Sequence, residues 1–448
     1  MSGIRRQQGP EALYWHDRWL SYPELIRRID EWKHRLAGWG VGQGTVCAVQ
    51  GDYSPASCAA IFALIELRAI VVPFTRTAAK HVPEFCRIAG VQCMIILNDD
   101  DAADFRRLES GPLPGLLSEF LLQRHPGLVV FSSGSTGVPK GILHDCERVF
   151  LKFVEPRQGW RTLLFLLMDH FGGFNTLLAT FAYGGSGICL PDRDPATVCR
   201  LVSQTGAELM PVTPTFLNFL LTTGAHREYD VSSVRLITYG TEVMLPATLK
   251  KIRAAFPNAR FKQTYGLSEL GVLQSSSAQD DSVWLRVGGP GFETKVVDGV
   301  LWVRSAANMV GYLNAASPIE PDGWMCTDDR VELDGENLRF WGRQTDLINV
   351  GGQKVYPSEV ENVLLEAENV CEASVSGTPH PILGAVVQAT VSLCRPEAEE
   401  LLRERLREFC LGRLDRYKVP MRFSVVASTA QHSQRYKKVH EKQTGKEE

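Results

Sequence analysis

The residues in this chain best suited to chemistry stand together between Ser132 and Lys140. Residues 128–131 form an apolar, β-branched run that predicts a buried strand. The run breaks at once into Ser132, Ser133, Gly134, Ser135, Thr136 and Gly137, and closes on Pro139, Lys140 and Gly141. Glycine lets backbone N–H groups approach an anion, hydroxyls donate to phosphate oxygens, and the lysine brings positive charge to the same place. A flexible Ser/Gly linker would not leave a core strand and end in Pro-Lys-Gly. A P-loop is excluded too, because that motif needs Gly immediately before Lys and Pro139 holds the position. The expected chemistry is phosphate binding.

Further clusters follow. In LITYGTEVM (236–244) an apolar strand runs into Gly240, Thr241 and Glu242. About 130 residues after the first motif, FKQTYGLSEL supplies Thr264, Tyr265, Gly266, Ser268 and Glu269. An aromatic ring there can stack on a base, and a carboxylate beside phosphates suits Mg²⁺, which takes a few oxygens plus phosphate. Next come Cys326-Thr327-Asp328-Asp329 and WGRQTDLINVGGQKVYPSEVE (341–361), with Arg343 near its start and Ser358 as a helix cap. Earlier, residues 163–185 form an apolar run ending at Asp169-His170, a Gly-Gly turn, and a helix from near Phe174. By spacing alone, His170 reads equally well as a capping or core histidine.

SSGSTGVPKG, TYGLSE and the GR…GG…PSEVE stretch resemble the hallmarks of the adenylate-forming superfamily: acyl- and aryl-CoA synthetases, luciferases and peptide-synthetase adenylation domains. The resemblance runs from about Leu20 to about Pro420 and is closest in type to acyl- or aryl-CoA ligases. It implies that residues 132–140 cradle the phosphates of ATP, with Thr136 and Glu269 on Mg²⁺. Gly240, Thr241 and Glu242 would lie on the adenine side, with Thr264, Tyr265, Gly266 and Ser268 completing the nucleotide site. Asp329 would hold the ribose hydroxyls, Arg343 ribose or phosphate, and His170 the mouth of the carboxylate pocket. In amino-acid-activating members an Asp near this point binds the substrate amine, so Asp169 keeps that alternative open beside the favoured acid reading. Three departures stand out. Asp328 occupies a position where Gly is usual, and Thr345, beside Asp346, replaces a charged hinge residue. The usual terminal P-x-x-x-x-G-K is absent, which leaves Lys437, then Lys438, nearest the place of the catalytic lysine. These departures also allow a member that binds nucleotide without turnover.

The elements that must position these groups alternate strand and helix, which implies mostly parallel sheets covered on both faces. The expected fold is α/β, divided at 448 residues into two domains. Residues 1–342 would bind ATP and the acid and carry a β subdomain; residues 343–448 would form a mobile α+β cap. Residues 144–154 are expected to be helical. The net charge of −3 gives no footprint for nucleic acid, and no apolar run reaches the roughly 20 residues of a membrane span. The N-terminal stretch has no apolar signal core. Eleven cysteines, odd in number and without a CxxC pair, indicate neither a disulfide framework nor a zinc site, and a cytoplasmic setting fits. The expected partners are a small carboxylic acid and CoA or a phosphopantetheine carrier protein. Phe171, Phe174, Phe216 and Phe219 suggest that the acid is aryl or medium-chain acyl.

Overall fold

The computed structural model describes residues 2–109, 111–132, 138–277, 282–289 and 291–426. Strand and helix alternate through the N-terminal part and build two seven-stranded sheets, one mixed and one mostly parallel. In one, Gly127–Ser132 lies between Ile70–Phe74, its parallel neighbour, and Lys140–Asp145, which returns antiparallel from the Ser/Gly motif. In the other, Arg260–Gln263, Leu236–Tyr239, Leu209–Val212 and Arg161–Leu163 run parallel in that order.

Three helices fill the layer between the sheets: Tyr22–Gly38, Pro55–Glu66 and Phe171–Ala182. From Pro55 through Ile65 every residue is buried, as a helix with a sheet on both sides requires. Reciprocal side-chain caps start two of them, Ser21 with Glu24 and Ser54 with Ser57, and satisfy backbone N–H groups that the helix leaves open. Strand alternation divides the cores: Cys47 and Val49 face the shared helical layer, whereas Val46 and Ala48 face the outer helices.

The glycine-punctuated region after Leu270 forms a separate six-stranded antiparallel sheet, from Ser275–Ser277 to Asn337–Arg343. Residues after 343 build a core around Val355, Leu364, Val375, Ala389 and Leu402, which also takes in Leu245 from the N-terminal part. This part touches the rest through Asn218 Nδ2 donating to Cys371 O (2.8 Å), the Ala247 N–H to Asn362 Oδ1 (3.1 Å) and Lys251 Nζ to Leu365 O (3.0 Å).

Several local expectations need correction. His144 lies in the strand Lys140–Asp145, and the helix after it covers only Cys146–Phe150, because residues 140–145 pair antiparallel with Gly127–Ser132. Ser358 is not a cap: it sits in the first turn of Pro357–Glu366 and donates to Trp341 O at 2.6 Å. Cys371 and Cys394 are joined as a disulfide, which the cysteine count did not anticipate. They stand opposite each other at the ends of the hairpin Val370–His380 and Gly384–Leu393, a pairing that sequence spacing cannot reveal. Among the described residues no helix is long and apolar enough to cross a membrane.

Candidate active site

A cavity of about 1060 Å³ opens at the C-terminal ends of strands from both sheets, where an α/β fold leaves its crevice. Ser132, Lys140, His170, Gly240, Thr241, Thr264, Tyr265, Gly266, Ser268, Glu269 and Arg343 all line it. Ser133, Gly134, Ser135, Thr136, Gly137, Lys437 and Lys438 lie outside the described residues. Lys140 opens its strand opposite Ser132, and its Nζ stands 4.9 Å from the ring centroid of Tyr312. The Tyr312 hydroxyl donates to Glu269 Oε1 at 2.7 Å, so cation, phenol and carboxylate form one group. Tyr312 was not anticipated, since it lies on the edge strand Gly311–Tyr312, far along the chain from both partners.

Gly240 and Thr241 reach the cavity, while Glu242 turns back to the helix Pro214–Thr223. Its carboxylate accepts from the Thr215 hydroxyl (2.6 Å) and N–H (3.2 Å). Gly240 is required sterically, because a Cβ there would lie 2.5 Å from Thr264 Oγ1 and 2.6 Å from its carbonyl oxygen. Thr241 adopts φ 71°, a strained conformation for a β-branched residue, held between that close approach and the Glu242 anchor.

Tyr265 stacks on Phe340 at 4.7 Å and donates its hydroxyl to Asp329 Oδ2 at 2.7 Å. One ring face is therefore engaged within the protein. The cavity wall beside it is formed by Thr327 and Asp328. Asp328 has φ 63°, the left-handed conformation that explains why glycine suits this position; Asp is among the residues that tolerate it. The turn is thus kept despite the substitution. Burial pushes the Asp329 carboxyl up to about 6, against the opposing Tyr265 hydrogen bond and Arg343 charge. Between about pH 4 and pH 6 the folded state then holds a proton that the unfolded chain has released, so this group destabilises the fold as pH rises through that window. Compared with Asp329→Asn, whose amide oxygen still accepts from Tyr265, the wild type should lose roughly 2 kcal/mol between pH 4 and 7. Urea midpoints of both proteins across that range check this. A constant difference between them would remove the buried charge as the cause.

On the other side of the cavity, His170 precedes the helix Phe171–Ala182, which begins three residues before Phe174. Asp169 is buried and accepts from the Thr75 hydroxyl at 2.9 Å; it does not line the cavity. Of the four phenylalanines expected there, Phe171 lines the wall. Phe174 and Phe216 are fully buried in separate cores and Phe219 lies off the wall, whereas Trp160, Phe165 and Tyr183 contribute. His144, missed by sequence reasoning, is buried, and Nε2–H donates to Ser268 O at 2.7 Å. Its ring lies 4.6 Å from Phe171, and burial pushes it down to about 4, which keeps it neutral at ordinary pH. One imidazole thereby ties the Lys140 strand to the Ser268-Glu269 loop and the start of the helix Phe171–Ala182.

No group of three His, Cys, Asp or Glu side chains among the described residues could hold a metal. A Mg²⁺ ion shared with phosphates does fit: Glu269 presents a carboxylate to the cavity beside Lys140, with one oxygen already oriented by Tyr312.

Residues 3–313 match the family model for AMP-binding enzymes, and residues 359–434 that for the AMP-binding enzyme C-terminal domain. The chain is 27% identical to a long-chain-fatty-acid–CoA ligase of Mycobacterium tuberculosis, over 90% of this chain and 88% of that protein. It is also 27% identical to an indoleacetate–CoA ligase of Aromatoleum aromaticum, over 92% and 91%. Among solved structures, an anthranilate–CoA ligase in complex with anthranoyl-AMP superposes with a TM-score of 0.79 at 19% identity, covering 95% of this chain and 92% of that one.

Proposed function

The chain belongs to the AMP-binding enzymes, and from that premise we propose that it is an AMP-forming acid–thiol ligase acting on an aryl or medium-chain carboxylic acid and CoA. One observation carries the reading: a single cavity joins Lys140, Glu269 and Arg343 at one end to a side-chain-lined chamber along the helix Phe171–Ala182 at the other. The acid's carboxylate attacks the α-phosphorus of ATP, forming an acyl adenylate and releasing pyrophosphate. A thiol then attacks the activated carbonyl, forming a thioester and releasing AMP.

Lys140 and the Ser132 end of the motif bind the phosphates, and Thr264, Gly240 and Thr241 bound the nucleotide. Glu269 would hold Mg²⁺, which when bound supplies neutralisation of phosphate charge. His170 lies at the mouth of the acid chamber. Arg343 addresses ribose or phosphate, Asp329, set behind the wall and bonded by Tyr265, is the candidate for the ribose hydroxyls, and Lys437 or Lys438 supplies the positive charge normally brought by the terminal lysine. The contacts that join residues 343–448 to the rest are compatible with a division at 342/343 and rotation about residues 343–346. The bond from Thr75 to Asp169 argues against an amine-binding role for that carboxylate.

Carboxylate-dependent exchange of labelled pyrophosphate into ATP, across aryl, fatty and amino acids, tests the first step. Exchange with one acid class and AMP release only on adding CoA is the expected result. AMP release only with a carrier protein or an amine would change the acceptor. ATP binding without exchange for any acid would mean a nucleotide-binding protein without turnover.

A further inference from the structure

The acid chamber has two walls of different character. One is the helix Phe171–Ala182, which presents Phe171 at its start, then Asn175 and a side of small residues, Gly172, Thr176, Ala179 and Thr180. The other is one face of the parallel sheet, and strand register arranges it in rows. Thr264 and Gly240 lie at the nucleotide end. The next row inward is Pro211, Thr238 and Lys262, and the row behind it is Leu209, Leu236 and Arg260. Alternate residues such as Met210 and Ile237 belong to the opposite core. Lys262 is thus fixed on the wall two residues, about 7 Å, beyond Thr264.

Lys262 is not alone. Arg157 lines the same cavity, with its guanidinium 5.9 Å from the Tyr183 ring. Lys152, behind Phe171, points its Nζ toward Val272 O at 3.5 Å, and Val272 also belongs to the wall. Among the described residues no carboxylate makes an ion pair with Lys152, Arg157, Arg260 or Lys262. Burial and then Arg157 lower both lysines, Lys152 to about 7, and Arg260 lowers Lys262 further. A half-buried lysine facing two arginines without a counter-charge is costly in a chamber built only for hydrocarbon.

Resting on the reading that an acid is activated in this cavity, we propose that the acid carries a second anionic group, a carboxylate or sulfonate, bound by Lys262 with Arg157. The reacting carboxylate lies at the His170–Thr264 end, and the second anion lies one row further in. The ligand would replace the missing counter-charge, and charge-assisted hydrogen bonds to both cations would set the orientation of the chain between them. The row spacing of about 7 Å, with the reach of a lysine, corresponds to roughly five to nine carbons between the acid groups.

The test compares matched monoacids and α,ω-diacids, together with phenylacetate and 4-carboxyphenylacetate, by kcat/KM for CoA-dependent AMP formation. The best diacid should exceed its monoacid about tenfold or more. Lys262→Met should erase that ratio, and Lys262→Arg should retain most of it. Turnover of monoacids with no diacid preferred, or a preference indifferent to Lys262→Met, overturns the inference and leaves the ligase reading intact. Thermal-shift binding of the diacid alone reads the same subsite without turnover. A shift kept in Lys262→Arg and lost in Lys262→Met supports the inference even if no acid drives pyrophosphate exchange, and no shift in the wild type with no exchange overturns it.

Discussion

Glu269→Gln should lower kcat for AMP formation by about 10²–10³, the range found when one preorganised charge partner is removed from a transition state. The substitution is conservative by design. The amide oxygen it introduces can still accept from the Tyr312 hydroxyl, which now meets Glu269 Oε1 at 2.7 Å, so packing around the cavity should hold. What is lost is the negative charge, and with it the oxygen suited to a divalent cation between protein and phosphates. A second readout separates this role from a structural one. The Mg²⁺ concentration for half-maximal activity should rise in the variant, whereas metal-free nucleotide binding should change little. Tyr312→Phe should act in the same direction but more weakly, since it frees one carboxylate oxygen without removing the charge. A normal Mg²⁺ dependence in Glu269→Gln would disconnect Glu269 from the metal, whatever happened to kcat.

The parts of this site that sequence made legible are those in which chemistry and backbone conformation lie within a few adjacent residues. Lys140 after a Ser/Gly run, Gly240-Thr241 at a strand end and Glu269 in TYGLSE all reach one cavity. Asp328 was visible as a departure, but only the φ of 63° shows that the turn is kept. Long-range pairings were not legible. Nothing near Ser268 in the chain points to His144, and nothing near Glu242 points to Thr215. The aromatic lining failed for a different reason. The helices Phe171–Ala182 and Pro214–Thr223 are apolar on most sides, so composition cannot say which ring faces a cavity and which a core. Phe174 and Phe216 went to cores, while Phe171, Trp160, Phe165 and Tyr183 line the cavity beside the small side of one helix and the outward rows of a sheet. Lys262 was hidden by the same rule: in RFKQ it reads as a polar residue on a strand, and only register places it opposite Thr238.

Gly173→Ala should cost about 3 kcal/mol and enlarge the KM for the acid far more than that for ATP. A Cβ at Gly173 would lie 2.0 Å from Leu167 O and 2.6 Å from Leu166 O, backbone atoms that cannot turn aside as a side chain could. The start of the helix Phe171–Ala182 would have to move off the segment that leads into Asp169 and His170. That helix forms one wall of the proposed acid chamber, whereas Lys140, Gly240 and Thr264 are held in strands or directly at their ends, so the damage should fall on the acid side. The neighbouring glycine is the control. A Cβ at Gly172 meets only Leu166 Cδ1 at 3.6 Å, an ordinary contact, and Ala is the better helix former by roughly 0.8–1 kcal/mol. Gly172→Ala should therefore hold or raise the urea midpoint while Gly173→Ala lowers it sharply. Equal midpoints for the two variants would mean that the helix start yields freely, and that its close approach to residues 166–167 does not set the width of the chamber.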